Sequence, residues 1–219
     1  MRKCFLGAVA LVVLLSGTSV DASVTLGQSD SFSTSDTLGW TMGFNQIIPP
    51  AVVSTGGPQG VSDGYLQIVS TGGGSANSKL VMFNQIQWTG DFIAAGVTRI
   101  NLDMANFGTN ALSMRVAIQD NFGSDFSSTI PVPLAADGHW HSASFDMSPS
   151  AFTQTQGSST ATHALSNVGD LRLLSSANPS FFGDTIAATV GFDNITAVPE
   201  PGVGGVILAA LAVGFRRRR

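Results

Sequence analysis

The sequence predicts an all-β protein: a two-sheet antiparallel sandwich of the jelly-roll type, flanked by an N-terminal signal helix and a short C-terminal apolar helix. Three observations predict this class. Apolar residues recur with a period of two along the central part, no long stretch repeats every 3.6 residues, and clusters of Gly, Ser, Asn and Pro separate the runs. Short strands punctuated by turns are typical of β-sandwiches. The 219 residues therefore divide into a signal peptide at 1–22, a β-sandwich domain at 23–197 and a tail at 198–219.

Residues 1–22 have the three parts of a secretory signal peptide. Arg2 and Lys3 supply the positive start, residues 5–15 are an unbroken apolar run, and residues 20–22 offer small side chains for cleavage by signal peptidase. As a helix, such a run extends about 16 Å, which is too short to cross a bilayer stably. We therefore expect the central domain to be exported.

The central domain is predicted to consist of short strands. In residues 99–105, Ile100, Leu102 and Met104 share one face, and a similar alternation follows at 112–118. The turn-forming residues 106–110 between them predict a hairpin of these two strands. A loop is predicted at 153–162. Further strands are expected at 65–71, 79–84, 140–147, 170–175 and 185–196.

Charge and cysteine content exclude several classes of protein. Between its two ends the chain carries four basic and twelve acidic residues, a net charge of −8, and no glutamate. This balance argues against nucleic acid as a partner, because phosphate binding requires clustered cations. The single cysteine, Cys4, lies in the signal peptide, which excludes disulfides and cysteine-ligated metal centres from the exported domain.

The tail has three parts in a fixed order. Val198, Pro199, Glu200 and Pro201 form a stiff, non-helical start, an uncharged apolar run follows, and the chain ends in four arginines, Arg216, Arg217, Arg218 and Arg219. The arginines should stay on the cytoplasmic side and leave the domain outside. The apolar run spans about 21 Å, less than the roughly 30 Å of a bilayer core, which favours a transient membrane stop.

This three-part tail resembles the PEP-CTERM sorting signal of exported bacterial proteins. The resemblance implies recognition by an exosortase-type membrane transpeptidase that cuts near Pro-Glu-Pro. It also implies a Gram-negative host that makes exopolysaccharide or biofilm matrix, with a final location at the cell surface or in the extracellular matrix. A plain C-terminal membrane anchor is the alternative.

A second resemblance concerns the domain itself. Two segments are similar to short sequence motifs of jelly-roll carbohydrate-binding modules: Asp137-Gly138-His139-Trp140 and Gly191-Phe192-Asp193-Asn194-Ile195. Such modules often hold a structural calcium ion between their first and last strands, which implies Asp193 with Asp30 or Asp36 as ligands. In the alternative, Asp193 and Asn194 hydrogen-bond to their own backbone. No other cofactor is predicted.

Trp140 is the candidate for contact with a sugar because it is out of phase with its strand. Ala143, Phe145 and Met147 define the apolar face, so Trp140 either points outward, where it can stack on a sugar ring, or lies in the core behind a β-bulge. Trp40 and Trp88 face the same choice. His139 and His141, two residues apart, either join His163 in a metal site or are solvated.

No catalytic motif stands out. The sequence has no Gly-x-Ser-x-Gly, no His-Glu-x-x-His and no phosphate-binding loop. The domain also lacks glutamate, which glycosidases usually use as a catalytic carboxylate. We therefore predict a non-enzymatic exported protein sorted by its tail. The alternatives are a module that binds exopolysaccharide and a structural matrix protein.

Overall fold

The computed structural model describes residues 23–43, 48–75 and 78–200 of the chain. These residues form an all-β sandwich of two antiparallel sheets, which confirms the predicted class. This part of the chain includes a short α-helix, α1 (Ala161–Leu165), and a 3₁₀ turn (Pro149–Ala151). The predicted signal helix and C-terminal apolar helix lie outside it.

Sheet A has the strand order β2-β3-β12-β5-β9, and β1 also pairs with β12. Its strands are β1 (Ser29–Asp30), β2 (Ala51–Val53), β3 (Tyr65–Thr71), β5 (Arg99–Asn106), β9 (Trp140–Asp146) and β12 (Ala187–Val198).

Sheet B has the order β10-β7-β6-β11-β4, and β8 also pairs with β6. Its strands are β4 (Val81–Asn84), β6 (Leu112–Asp120), β7 (Asp125–Ser128), β8 (Val132–Leu134), β10 (Phe152–Gln156) and β11 (Val168–Ser175).

The core lies between the two sheets and follows the alternation of the sequence. Ile100, Leu102 and Met104 of β5 are buried, as are the alternate apolar residues of β6. Asn101 and Asp103 of β5 point to the opposite side of sheet A. Period-two patterning therefore assigns a core face and an outer face to each of these strands.

The predicted hairpin of 99–105 and 112–118 is wrong. β5 pairs with β12 and β9 in sheet A, whereas β6 pairs with β11, β7 and β8 in sheet B. The connection at 107–111 therefore passes from one sheet to the other. Alternation determines which face of a strand is apolar, and that pattern is the same whether the next strand joins this sheet or the facing one.

The predicted loop at 153–162 is also wrong, since it contains most of β10 and the start of α1. β10 lies at the edge of sheet B, where backbone pairing with β7 suffices to hold a strand whose side chains are mostly polar. The other strands that the sequence did not predict, β1, β2, β7 and β8, have two to four residues each.

Candidate functional site

The candidate site is the outer face of sheet A, the face that points away from sheet B. Cross-strand pairing places Trp140 of β9, Ala105 of β5, Gly191 of β12 and Gln67 of β3 in one row across this face. The next row contains Ser142, Asp103 and Asp193. Aromatic and polar side chains from four strands therefore meet on one surface.

Trp140 points outward. β9 pairs with β5 through seven successive residues without a bulge, so Trp140 stays out of phase with the buried Phe145. The prediction's bulge alternative is therefore wrong for this residue. The indole is half-buried, and its Nε1 donates a hydrogen bond to the carbonyl oxygen of Gly56 at 2.9 Å. This bond fixes the ring against the sheet.

Tyr65 and Phe107 complete an aromatic cluster with Trp140. The Trp140 ring makes edge contacts with Tyr65 and Phe107, with centroids 5.2 and 6.1 Å away. Gly191 lies beneath all three, because a Cβ there would come within 3.0 Å of each ring. Phe107 is 39% exposed, which leaves the cluster open to solvent at that side. Burial raises the pKa of the Tyr65 hydroxyl, so it remains protonated at neutral pH.

Sequence reasoning missed Tyr65 and Phe107. Tyr65 starts a predicted strand, and Phe107 lay in residues interpreted as a turn. The signal that could have found them is Gly191, since a glycine within a strand often marks the close approach of another group.

A polar cleft of about 420 Å³ lies in the same outer face. Asn101, Asp103, Ser142, Ser144 and Asn194 supply its hydrogen-bonding groups. Asp103 is held in place from two sides: Ser142 Oγ donates to its Oδ1 at 2.6 Å, and Asn194 Nδ2 donates to its Oδ2 at 2.9 Å. The cleft therefore presents an oriented carboxylate among amides and hydroxyls.

Asn194 reaches Asp103 because β12 contains a β-bulge. The pairing of β12 with β5 shifts between Asp193 and Thr196, and Asn194 adopts a left-handed φ of 52°. Asparagine tolerates this conformation better than most residues. The bulge thus turns the Asn194 amide toward the cleft.

Asp193 lies beneath this surface and is 1% exposed. Its Oδ1 accepts a hydrogen bond from the Phe32 amide at 3.3 Å, whereas its buried Oδ2 has no hydrogen-bond partner. Burial raises the pKa of this carboxyl to about 6, and the negative charges of Asp63 and Asp103 add to the increase.

Asp30 does not fit the calcium site implied by the resemblance. Its Oδ2 accepts hydrogen bonds from the indole N–H groups of Trp40 and Trp88, each at 2.7 Å, and Gln87 Nε2 donates to the same carboxylate. Donors at this distance occupy the position that a cation would need. Within the described ranges, no group of three or more His, Cys, Asp or Glu could hold a metal ion. Asp36 instead accepts from the Leu38 amide.

Trp40 and Trp88 are core residues, 2% and 0% exposed, so neither is available to a sugar. Unlike Trp140, both can be buried because their indole N–H groups donate hydrogen bonds to the buried Asp30 carboxylate.

The histidines are not brought together. His141 contacts Asp137, with 2.9 Å between Nε2 and Oδ2, and His139 precedes β9. His163 lies on α1, where its Nδ1 is 3.7 Å from Asp120 Oδ2. The solvated interpretation of His139 and His141 therefore fits better than the metal site.

Only part of the sorting tail is described. Val198 is the last residue of β12 and pairs with Arg99, while Pro199 and Glu200 are exposed beyond it. Pro201 and Arg216 to Arg219 lie outside the described residues, as does the signal peptide. No helix within residues 23–43, 48–75 and 78–200 is long and apolar enough to span a membrane.

Comparisons with known proteins show similarity of fold. No protein-family model matches the chain, and no curated protein matches it in sequence. A family 11 carbohydrate-binding module from Clostridium thermocellum, in complex with a β-1,3-1,4-mixed-linked tetrasaccharide, has a TM-score of 0.50 and 13% identity over 80% of this chain and 97% of the module. An exo-β-agarase has a TM-score of 0.55 and 14% identity over 81% of this chain. The matched region is 25% of the agarase chain. The described domain therefore shares its sandwich fold with a carbohydrate-binding module and with one part of an agarase.

Proposed function

We propose that this protein is a carbohydrate-binding module whose ligand surface is the outer face of sheet A. The observation that carries the proposal is the position of Trp140, whose ring lies on this face over Gly191, two residues along β9 from Ser142 of the polar cleft. A sugar ring offers C–H groups that pack on aromatic surfaces and hydroxyls that exchange hydrogen bonds with carboxylates, amides and hydroxyls. The outer face provides both kinds of partner side by side.

The shared fold supports this proposal without carrying it, because one fold hosts many functions. The ligand of the family 11 module belongs to that module. For this chain, the chemistry of the site makes the case.

We infer that the protein has no hydrolase activity. Asp103 and Asp193 are cross-strand neighbours, and such a carboxylate pair could suggest a glycosidase. A general acid must reach the glycosidic oxygen, however, and Asp193 is 1% exposed with its free Oδ2 buried. The pair is therefore better suited to supporting the cleft than to cleaving a bond.

Binding of the full chain to soluble polysaccharides by affinity gel electrophoresis tests the proposal. The Trp140→Ala variant should bind at least tenfold more weakly, about 1.4 kcal/mol, because it removes the aromatic platform. Phe122→Ala is the control, since Phe122 is 71% exposed and lies beyond the end of β6 in the other sheet. Equal affinity of wild type and Trp140→Ala, with both variants folded, would refute the role of the outer face.

For the tail, we propose export followed by sorting through the PEP-CTERM-like signal, with signal peptidase and an exosortase-type transpeptidase as partners. The support is the order of Pro199-Glu200-Pro201, the apolar run and Arg216 to Arg219. In addition, β12 ends at Val198, so cleavage near Pro199 would leave the sandwich complete.

The intact mass of the protein recovered outside the cell tests this second proposal. We expect a chain that begins near residue 23 and ends near residue 200. Recovery of the chain in the cytoplasm with both Met1 and Arg219 retained would contradict it. A structural matrix protein, the remaining alternative, would instead show concentration-dependent light scattering without binding a polysaccharide.

A further inference from the structure

The charge in the polar cleft is negative. Asp103 is the charged residue among those that line it, and Asp193 lies next to Asp103 on the neighbouring strand. Asp63 adds a third negative charge close enough to Asp193 to raise the pKa of its carboxyl. Two neighbouring carboxyl groups, those of Asp103 and Asp193, thus lie at this part of the outer face, and the charge of Asp63 acts on Asp193 as well.

The basic residues of the described chain do not offset this charge. Arg115 and Arg172 belong to sheet B, where Arg115 donates to backbone carbonyls and Arg172 pairs with Asp170 at 2.8 Å. Lys79 lies next to β4, also in sheet B.

Arg99 is the basic residue of sheet A, and it lies at the far end of β5. Four residues separate it from Asp103, about 13 Å along a strand. Asp146 is its cross-strand neighbour and opposes its charge. At the other end of β9, His141 contacts Asp137. The one arginine of this face is therefore paired with a carboxylate, and the centre of the face remains negative.

Asp103 can accept hydrogen bonds but cannot donate them. Ser142 and Asn194 each occupy one of its oxygens, and a carboxylate has about four acceptor positions, so further positions remain for a ligand. A sugar hydroxyl can fill one with a charge-assisted hydrogen bond. A uronate or sulfate group has no proton to donate at neutral pH and would be repelled by the Asp103 carboxylate, most strongly at low salt.

We propose that the outer face of sheet A selects uncharged polysaccharides and discriminates against anionic ones, with Asp103 as the specificity-determining residue. This inference rests on the proposed carbohydrate-binding function and names the class of ligand for that same site.

Paired polysaccharides that share a backbone and differ in added carboxymethyl groups test the inference. The affinity of the full chain is measured for two neutral polysaccharides, mixed-linkage β-glucan and agarose, and for the carboxymethyl derivative of each. Polygalacturonate is included as a natural anionic polysaccharide. At low salt, the carboxymethyl derivative should bind at least tenfold more weakly than its neutral parent.

The Asp103→Asn variant should narrow this difference to threefold or less, because the amide keeps the shape of the side chain and loses its charge. Asp91→Asn is the matched control; it removes the same charge in the connection between β4 and β5, where Asp91 accepts from the Ala94 amide, and it should leave the difference unchanged. A salt titration of the wild type gives a readout without any variant, since added salt should narrow the same difference.

The outcomes separate the two proposals. If no polysaccharide binds, the proposed function fails and this inference fails with it. If the carboxymethyl derivatives or polygalacturonate bind as well as the neutral polysaccharides, the function stands and the selectivity is refuted. If the discrimination persists in Asp103→Asn, Asp103 is not its source.

Discussion

Removing the Asp30 carboxylate should destabilise the fold severely. Trp40 and Trp88 donate to the same Oδ2 at 2.7 Å, and both indoles are buried. In Asp30→Ala, two buried N–H groups lose their acceptor, each at a cost of about 1–3 kcal/mol, so we expect a loss of about 4 kcal/mol. For a domain of this size, such a loss lowers Tm by about 8–16 °C.

Urea unfolding followed by tryptophan fluorescence measures this effect, because two of the three tryptophans lie at the site. Asp36→Ala is the control, since Asp36 is exposed and accepts one backbone hydrogen bond; it should cost less than 1 kcal/mol. Asp30→Asn, which keeps one oxygen for the indoles, should fall between the two. A loss below 1 kcal/mol in Asp30→Ala would refute the reasoning, and a lower wild-type Tm in a calcium chelator would reopen the metal interpretation of this region.

Three other perturbations follow from the same structure. Gly191→Ala should displace the aromatic cluster, because its Cβ would come within 3.0 Å of the Trp140 ring; we expect a loss of about 1–3 kcal/mol by urea unfolding and weaker polysaccharide binding. Asp193, with a folded-state pKa of about 6 against an ordinary value of 3.8, stabilises the fold below about pH 4, and this contribution is lost as the pH rises through 6. The free energy of unfolding of the wild type minus that of Asp193→Asn should therefore decline by on the order of 2 kcal/mol between pH 4 and 7. A difference that does not change with pH would contradict the raised pKa of Asp193. Arg115→Met should lower the free energy of unfolding by about 3–5 kcal/mol in the same assay, because the buried guanidinium donates to the carbonyls of residues 128, 129, 176 and 177. If Arg115→Met is as stable as the wild type, these hydrogen bonds make no net contribution to stability.

Strand positions were largely predictable, whereas strand partners were not. The alternation of Ile100, Leu102 and Met104 determines a buried face, because each of these side chains must leave water. The choice of β12 and β9 over β6 as neighbours of β5 depends on how the two sheets share the core, which no local pattern encodes. The short edge strands escaped prediction because backbone pairing, and little burial, holds them.

Of the residues in the candidate site, the sequence singled out Trp140. Trp140 was a candidate because its phase conflicts with that of Phe145, and continuous pairing of β9 with β5 places it outside the core. Asp103 and Ser142 were not candidates in the sequence, since each is an ordinary polar residue of a strand, and Asn194 was considered only for hydrogen bonds to its own backbone. They form a cleft only because three strands and one bulge bring them together.

By itself, the sequence determined the all-β class, the acidic composition of the domain and the phase conflict between Trp140 and Phe145, because these depend on side-chain type and on spacing along a single strand. Only the tertiary structure decided which aspartate accepts hydrogen bonds from indole N–H groups in the core and which one faces a cleft. Asp30 and Trp88 are separated by 58 residues, and Asp103 and Asn194 by 91. The free energy of a carboxylate depends on the donors and charges around it in space, and those neighbours exist only after the sheets have assembled.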